Sequence, residues 1–342
     1  MSAASGKGAR KPETPALADG HGRETQRVCG AETTEKACPL SVCIVTWNCR
    51  EYVLECLRSI SAEAEELAAE IIVVDNASTD STPDAVAAQF PNVRLIVNPT
   101  NRGFAAANNQ AIAVARGEFV LLLNPDTVAP PGALRELLQI ARAHPEAGAI
   151  GPRLLNPDGS LQPSCRRFPS PWAAIFRNTL FGRLFPSNRW TREYLMQDWP
   201  HDQVREVDWV SGAAMLVRRQ ALAQVGLLDE AFFWGSEDVD YCKRLWDAGW
   251  KVLYTPTPAI VHRIGGSTDR AVLRTIWRRH ASWHRLYCKH FAASRLACAA
   301  MGLLIWGRAA LLALSWLIRW TWAWVTHPIR LLLTWLKKHS SA

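Results

Sequence analysis

Ser41-Val42-Cys43-Ile44-Val45-Thr46-Trp47-Asn48 and Ile71-Ile72-Val73-Val74-Asp75-Asn76 share one build: a short run of mostly β-branched residues that closes on polar ones. An apolar run without polar alternation is what a strand buried on both faces requires, because helices cover both sides of a parallel sheet. Between the two runs, Val53, Leu57, Ile60, Ala64 and Leu67 recur at helical spacing along one stripe. Thr82-Pro83-Asp84 supplies a helix start with proline at the first helical position. Val93 to Val97 reads as a third strand, and Asn101-Arg102-Gly103 opens an alanine-rich helix to Ala115. Phe119 to Leu123 reads as a fourth strand, closing on Asn124-Pro125-Asp126. The alternation predicts an α/β, Rossmann-like, mostly parallel sheet flanked by helices.

In such sheets ligands bind beyond the carboxyl ends of the strands. Those ends carry Thr46 with Asn48, Asp75 with Asn76, and Asn124 with Asp126. Asn and Asp are common turn formers, but three such strand ends on one edge make a polar rim over an apolar sheet. A second regular region runs from Val207 to Val217, followed by the acidic turn Trp234-Gly235-Ser236-Glu237-Asp238-Val239-Asp240, which begins a helix. Asp240 reads as a solvated residue of that helix. Val252 to Tyr254 is a further short strand, and Val261-His262-Arg263-Ile264-Gly265-Gly266-Ser267 follows.

The chain has no P-loop, no GxGxxG on a strand-to-helix turn and no GxSxG elbow. A nucleotide-sized site without phosphate-cradling glycines must neutralise a diphosphate with a metal ion and basic side chains. A strand-end carboxylate suits a hard cation such as Mg2+ or Mn2+. Nine cysteines in 342 residues are scattered through core segments without metal-ligand spacing, and read as reduced thiols in a cytosolic setting.

Taken together, Thr46-Trp47-Asn48, Val74 to Asp80, Asn101 to Asn108, Leu123 to Asp126, Ser211 to Arg218, Phe232-Phe233-Trp234 and Glu237 to Asp240 resemble glycosyltransferase family 2, and the Asn-Pro-Asp form its rhamnosyltransferase-like members. The resemblance covers roughly residues 40–270 and implies a GT-A type fold and inverting transfer from a nucleotide-sugar donor. It implies that Asp75 reads the donor base, with Thr46 and Asn48 in the same pocket, and that Arg102 and Asn108 contact the nucleotide or its diphosphate. Asp126 matches the last carboxylate of the family's DXD motif, with Asn124 in the place of the first, and would ligate the metal with His262 as second ligand. Asp238 matches the general base; Glu237 is the alternative. The donor implied is dTDP-rhamnose and the acceptor a polyprenyl-linked saccharide of a cell-surface polysaccharide. A polyprenyl-phosphate hexosyl synthase of the same fold, or an inactive nucleotide-binding membrane scaffold, are the competing readings.

The net charge of +8 is unevenly distributed. Residues 271–342 hold eleven Lys and Arg and no Asp or Glu, which leaves 28 basic against 31 acidic residues elsewhere, a net of −3. Eight tryptophans are interleaved with those cations. Leu296 to Ile318 is long enough to span a bilayer, but Arg308 sits in its middle, where a cation costs about 2.5–3.5 kcal/mol on the insertion scale. Amphipathic helices on an anionic membrane surface are therefore expected, and not nucleic acid, for which the long aliphatic runs would have no use. The expected division is a disordered segment over 1–38, a GT-A domain over 39–270 and a membrane-associating helical tail over 271–342. Residues 1–38 lack the apolar core of a secretory signal, which points the catalytic body to the cytoplasmic face of the inner membrane, peripheral or monotopic.

Overall fold

The computed structural model describes residues 38–176, 180–263 and 272–339. The expectation of disorder over 1–38 and the end of the His262 to Ser267 stretch lie outside them. The first half alternates as the sequence predicts: β1 (Leu40–Thr46), α1 (Arg50–Glu66), β2 (Glu70–Asp75), α2 (Thr82–Gln89), β3 (Arg94–Val97), α3 (Phe104–Val114) and β4 (Phe119–Leu123). The chain continues through β5 (Thr127–Val128), α4 (Ala133–Ala143), β6 (Ala147–Leu155), β7 (Leu161–Gln162) and β8 (Cys165–Arg166). The stretch without clear period contains α5 (Pro171–Phe176), α6 (Leu180–Leu184) and α7 (Arg189–Tyr194). Then come β9 (Arg205–Glu206), β10 (Trp209–Val210), β11 (Ala214–Arg218), α8 (Arg219–Val225), α9 (Glu237–Asp247) and β12 (Lys251–His262), and finally α10 (Val272–His290) and α11 (Arg295–His339).

The main sheet has the order β3-β2-β1-β4-β11-β6-β12-β5. β1 to β4 are parallel, whereas β11 runs antiparallel to both β4 and β6. The reversal brings the start of β11 to the edge where β4 ends, and Asn124 N donates to Ala213 O at 2.9 Å. The region from Val207 to Val217, which reads as one regular unit, is split here. β10 leaves the sheet to pair with β8, and Ser211-Gly212 forms the corner. A Cβ on Gly151 of β6 would lie 2.5 Å from Val210 Cβ, so glycine lets the small sheet press onto the large one. Val252 to Tyr254 and Val261-His262 are not separate segments but parts of the single strand β12, which shifts register between Thr255 and Ala259.

Alternate residues of the central strands feed two cores. Val42, Ile44 and Leu121 pack with Val53, Leu57 and Leu134 on one face. Cys43, Ile72 and Leu122 pack with Met215, Tyr241 and Leu245 on the other, and Leu286 of α10 joins this second core. α10 is fastened to the body by polar contacts as well. Ser282 Oγ donates to Trp234 O at 3.3 Å, and Arg278 lies 3.6 Å over the Phe233 ring. Asp240 is the anchor. Far from being solvated, it is fully buried, with Arg244 Nε at 2.9 Å, Lys289 Nζ at 2.7 Å and His290 Nε2 at 2.7 Å.

Two further features bear on the tail. Cys288 and Cys298 are joined as a disulfide across the turn between α10 and α11, contrary to the expectation of reduced thiols throughout. α11 is one continuous helix whose segment Arg295–Ile318 is long and apolar enough to cross a membrane. Met301, Ile305 and Ala309 form its buried stripe, while Leu303, Leu311 and Leu314 are exposed.

Removing a partner from a buried ion cluster leaves uncompensated charge and costs about 3 kcal/mol or more. Asp240→Ala should therefore lower stability by about that amount in chemical denaturation, far more than Asp229→Ala, whose partner Lys289 keeps Asp240. Equal losses would show that the cluster does not anchor α10.

Candidate active site

The parallel register sets Thr46 opposite Asp75 at the ends of β1 and β2. Asp75 is fully buried; its Oδ2 accepts Ser78 N–H at 2.9 Å, while Oδ1 has no partner. A buried carboxylate oxygen without a donor calls for one, and a base N–H is of the right kind. Thr46 is buried with its hydroxyl 3.1 Å from Cys49 Sγ. Asn48 holds the loop after β2, its Oδ1 accepting Thr79 N at 2.7 Å and its own N–H donating to Ser78 Oγ at 2.9 Å. Asn76 ties this corner to the next: its Oδ1 accepts Arg102 N at 2.9 Å and its Nδ2 donates to Gly103 O at 3.2 Å. The Arg102 side chain is exposed at this rim. Asn108 is buried with its amide turned onto Phe104 O of its own helix at 3.0 Å, so it does not join the other polar residues through that group.

Gly103 shows why the Asn-Arg-Gly triplet precedes α3. Its φ is +89°, and a Cβ there would lie 2.6 Å from Phe233 O, the acceptor of Phe104 N–H at 2.8 Å. The loop that leads into α9 is thereby seated on the start of α3.

A second group forms where β4, β5 and β12 end. The β5–β12 register places His262 opposite Thr127, and His262 Nε2 lies 3.3 Å from Asp126 Oδ1 and 3.3 Å from Asn124 Nδ2. His262 Nδ1 is 2.7 Å from Gln162 Oε1. Gln162 Nε2 in turn donates to Asn156 Oδ1 at 2.9 Å and His262 O at 3.2 Å, so Oε1 can only accept and the imidazole proton sits on Nδ1. His262 Nε2 then faces both Asp126 Oδ1, which has no hydrogen-bond partner, and Asn124 Nδ2; Asn124 Oδ1 is also unpartnered. Asp126 Oδ1 and the facing His262 Nε2 are two ligand atoms suited to a divalent cation, with Gln162 as the outer group that fixes the ring, while Asn124 meets Nε2 through its amide nitrogen. Sequence reasoning missed Gln162 because 100 residues separate it from His262.

The third group is at the first turn of α9. Asp238 Oδ2 accepts Gly212 N–H at 3.1 Å and Oδ1 accepts its neighbour Val239 N–H at 2.8 Å. Gly212 adjoins Ala213, the partner of Asn124, so the carboxylate and the β4 end share one corner. Glu237 is buried and its Oε2 has no partner. Burial, then the charge of Asp238, push its carboxyl up from 4.5 to about 8. Asp238 is also raised by burial, but the Gly212 and Val239 N–H groups and the charge of Arg166 pull it back. Neither carboxyl ionises easily beside the other, and the Gly212 N–H and the charge of Arg166 favour the ionised form of Asp238.

The model of Glycosyl transferase family 2 matches residues 41–195, and that of Glycosyl transferase family group 2 matches residues 119–337. The chain belongs to glycosyltransferase family 2. This glycosyltransferase is 37% identical over 257 residues to the N-acetylglucosaminyl-diphospho-decaprenol L-rhamnosyltransferase of Mycobacterium tuberculosis, spanning 71% of this chain and 82% of the relative. It is 26% identical over 209 residues to a low-salt glycan biosynthesis hexosyltransferase of Haloferax volcanii, covering 60% of this chain and 61% of that one. A mannosyltransferase from Pyrobaculum calidifontis, solved with GDP-Man and Mn2+, shares the fold with a TM-score of 0.50 and 19% identity over 85% of this chain and 81% of its own. The GT-A fold expected from the sequence is the one observed, with β11 and β5 as antiparallel members of an otherwise mostly parallel sheet.

A carboxyl raised on folding stabilises the native state fully below its unfolded value, here 4.5, and loses that contribution as pH rises toward about 8. Glu237→Gln removes the titration. Thermal unfolding at pH 6 and pH 9 should show the native chain losing more stability than the variant; parallel losses would mean that Glu237 is ionised throughout.

Proposed function

We propose that this glycosyltransferase moves rhamnose from dTDP-rhamnose to an N-acetylglucosaminyl-diphospho-polyprenol acceptor, at the cytoplasmic face of the inner membrane. The observation that carries the donor and acceptor is the 37% identity to a rhamnosyltransferase of that acceptor class over 82% of the relative's length. The unpartnered Asp75 Oδ1 supports a base with an imide N–H, which thymine presents. The exposed leucine face of α11, Trp277 beside it and the acid-free cationic tail support attachment to an anionic membrane surface, where a lipid-linked acceptor resides.

In this reading Thr46, Asn48 and Asp75 form the base pocket, and Arg102 and Asn108 flank the nucleotide. Asp126 and His262, with Asn124 beside them, would hold Mg2+ or Mn2+, which when bound neutralises charge on the departing diphosphate. Asp238 takes the proton of the acceptor hydroxyl as its oxygen attacks the anomeric carbon. The bond from that carbon to the diphosphate breaks on the opposite face, and the nucleoside diphosphate leaves with the electron pair. Glu237 keeps the pair's proton, so that Asp238 is the member free to accept one. Asp238 outranks Glu237 as base because it is the less buried of the two, accepts Gly212 N–H at the corner where β4 ends, and has the Arg166 guanidinium nearby, whereas Glu237 is buried with Oε2 unpartnered.

Membrane-bound enzyme offered a panel of sugar nucleotides and lipid-linked acceptors should transfer from dTDP-rhamnose. Asp238→Asn should reduce kcat about a hundred- to ten-thousandfold, and Glu237→Gln far less. Transfer of another sugar only would overturn the donor assignment; a Glu237→Gln variant as dead as Asp238→Asn would overturn the division of roles.

A further inference from the structure

Arg166 and Arg167 are consecutive, yet their side chains are differently placed. Arg167 is paired with Asp208 at 3.0 Å. Arg166 has no carboxylate partner among the described residues. Its guanidinium lies 5.0 Å from the Trp209 ring centroid and 6.0 Å from that of Tyr194, its hydrogen bond goes to Pro163 O at 3.2 Å, and its Nε is buried without an acceptor. Two aromatic faces and a carbonyl hold the plane of the guanidinium while leaving donors unused. Such a group is built to receive an anion from outside.

Its location says which anion. β8 pairs with β10, with Val210 opposite Cys165 and Trp209 opposite Arg166, and Ser211 N donates to Ser164 O at 2.7 Å, immediately before the Gly212 that holds Asp238. The other cations around α9 are already engaged: Arg244 and Lys289 with Asp240. An anionic acceptor entering a site that holds Asp126 and Asp238 is repelled unless a cation meets it. On the far side of Arg166, Tyr194 shares a face of α7 with Trp190 four residues earlier. Trp190 lines an open apolar hollow with Phe176, Leu184, Phe185 and Pro186. The order along the surface is thus carboxylate base, guanidinium, apolar hollow.

We propose that Arg166 binds the diphosphate of the acceptor, between the sugar at Asp238 and the lipid chain on the hollow beside α7. This rests on the acceptor class assigned above. The sugar hydroxyl, diphosphate and isoprenoid of such an acceptor follow the same order as base, cation and apolar surface. The donor diphosphate is served by a different group, at Asp126 and His262. Arg166 is a binding residue in this account, and its influence on Asp238 is a by-product of proximity.

The test uses full-length enzyme in detergent and two synthetic acceptors with the same N-acetylglucosaminyl group and the same alkyl chain. One is joined through a diphosphate, the other through a neutral ether. For the diphosphate acceptor, Arg166→Met should lower kcat/KM about ten- to a hundredfold through KM, the range for a lost charge-assisted hydrogen bond. Arg166→Lys should fall between. The neutral acceptor should lose clearly less, with its KM unchanged and any loss confined to kcat through the charge lost near Asp238, and donor binding should stay as in the native enzyme. As a second reading, the alkyl diphosphate without sugar should inhibit the native enzyme competitively against the acceptor, with a Ki raised by a similar factor in Arg166→Met. Equal losses with both acceptors, or an unchanged Ki, would overturn the assignment and leave the transferase reading intact. A native enzyme that uses neither acceptor with dTDP-rhamnose would overturn both.

Discussion

Two carboxyl groups stand side by side at the start of α9, Glu237 buried and Asp238 half-buried, and they cannot both be ionised there at modest cost. Much of the surrounding structure is organised by how that conflict is resolved. Glu237 has no donor for Oε2 and keeps a proton to about pH 8. Asp238 receives Gly212 and Val239 N–H groups and stands near Arg166. These contacts favour negative charge on Asp238, at the corner between β10 and β11. That corner exists because β11 is antiparallel to β4 and begins where β4 ends. Sheet topology, then, decides where the proposed base stands, and the deeper burial of Glu237 is what favours Asp238 for that role.

The same helix carries Asp240, the anchor for α10. Lys289 and His290 reach it from the far end of α10, one residue beyond the disulfide-bonded Cys288. The segment that leads toward the apolar helix α11 is therefore mechanically joined to the helix that holds Glu237 and Asp238. Under the membrane-surface proposal, this fixes the height and tilt of the active site relative to the acceptor's lipid, instead of leaving a catalytic body on a loose tether.

How far the sequence could be read follows from the range of each interaction. β1 to β4 and their helices were legible because a double-sided apolar run and a helical stripe are local patterns, and the polar residues at those strand ends came with them. Asp126, His262 and Asp238 were found by resemblance, and the fold gathers them at the carboxyl edge. Arg102 and Asn108, named in the same way, occupy the rim and interior of that corner without meeting the other polar groups through their side chains. Gln162, Arg166 and the role of Asp240 were not legible, nor was the hold of Asn76, itself read as a rim residue, on the next loop. Each acts through partners brought close only by the fold: Gln162 through His262, Asn76 through the loop before α3, Arg166 through β10 and α7, Asp240 through α10. Asp240 misled for a further reason, since the first turn of a helix welcomes a solvated carboxylate and nothing in its neighbourhood of sequence announces Lys289 and His290 of α10.

The central claim is a single displacement at the anomeric carbon, with Asp238 as the base and no covalent sugar–enzyme intermediate. The most direct measurement is the anomeric configuration of the first product, followed by NMR during turnover of dTDP-rhamnose with the lipid-linked acceptor. The account predicts that the product has the configuration opposite to the donor from its first appearance. A product formed with retained configuration would contradict it.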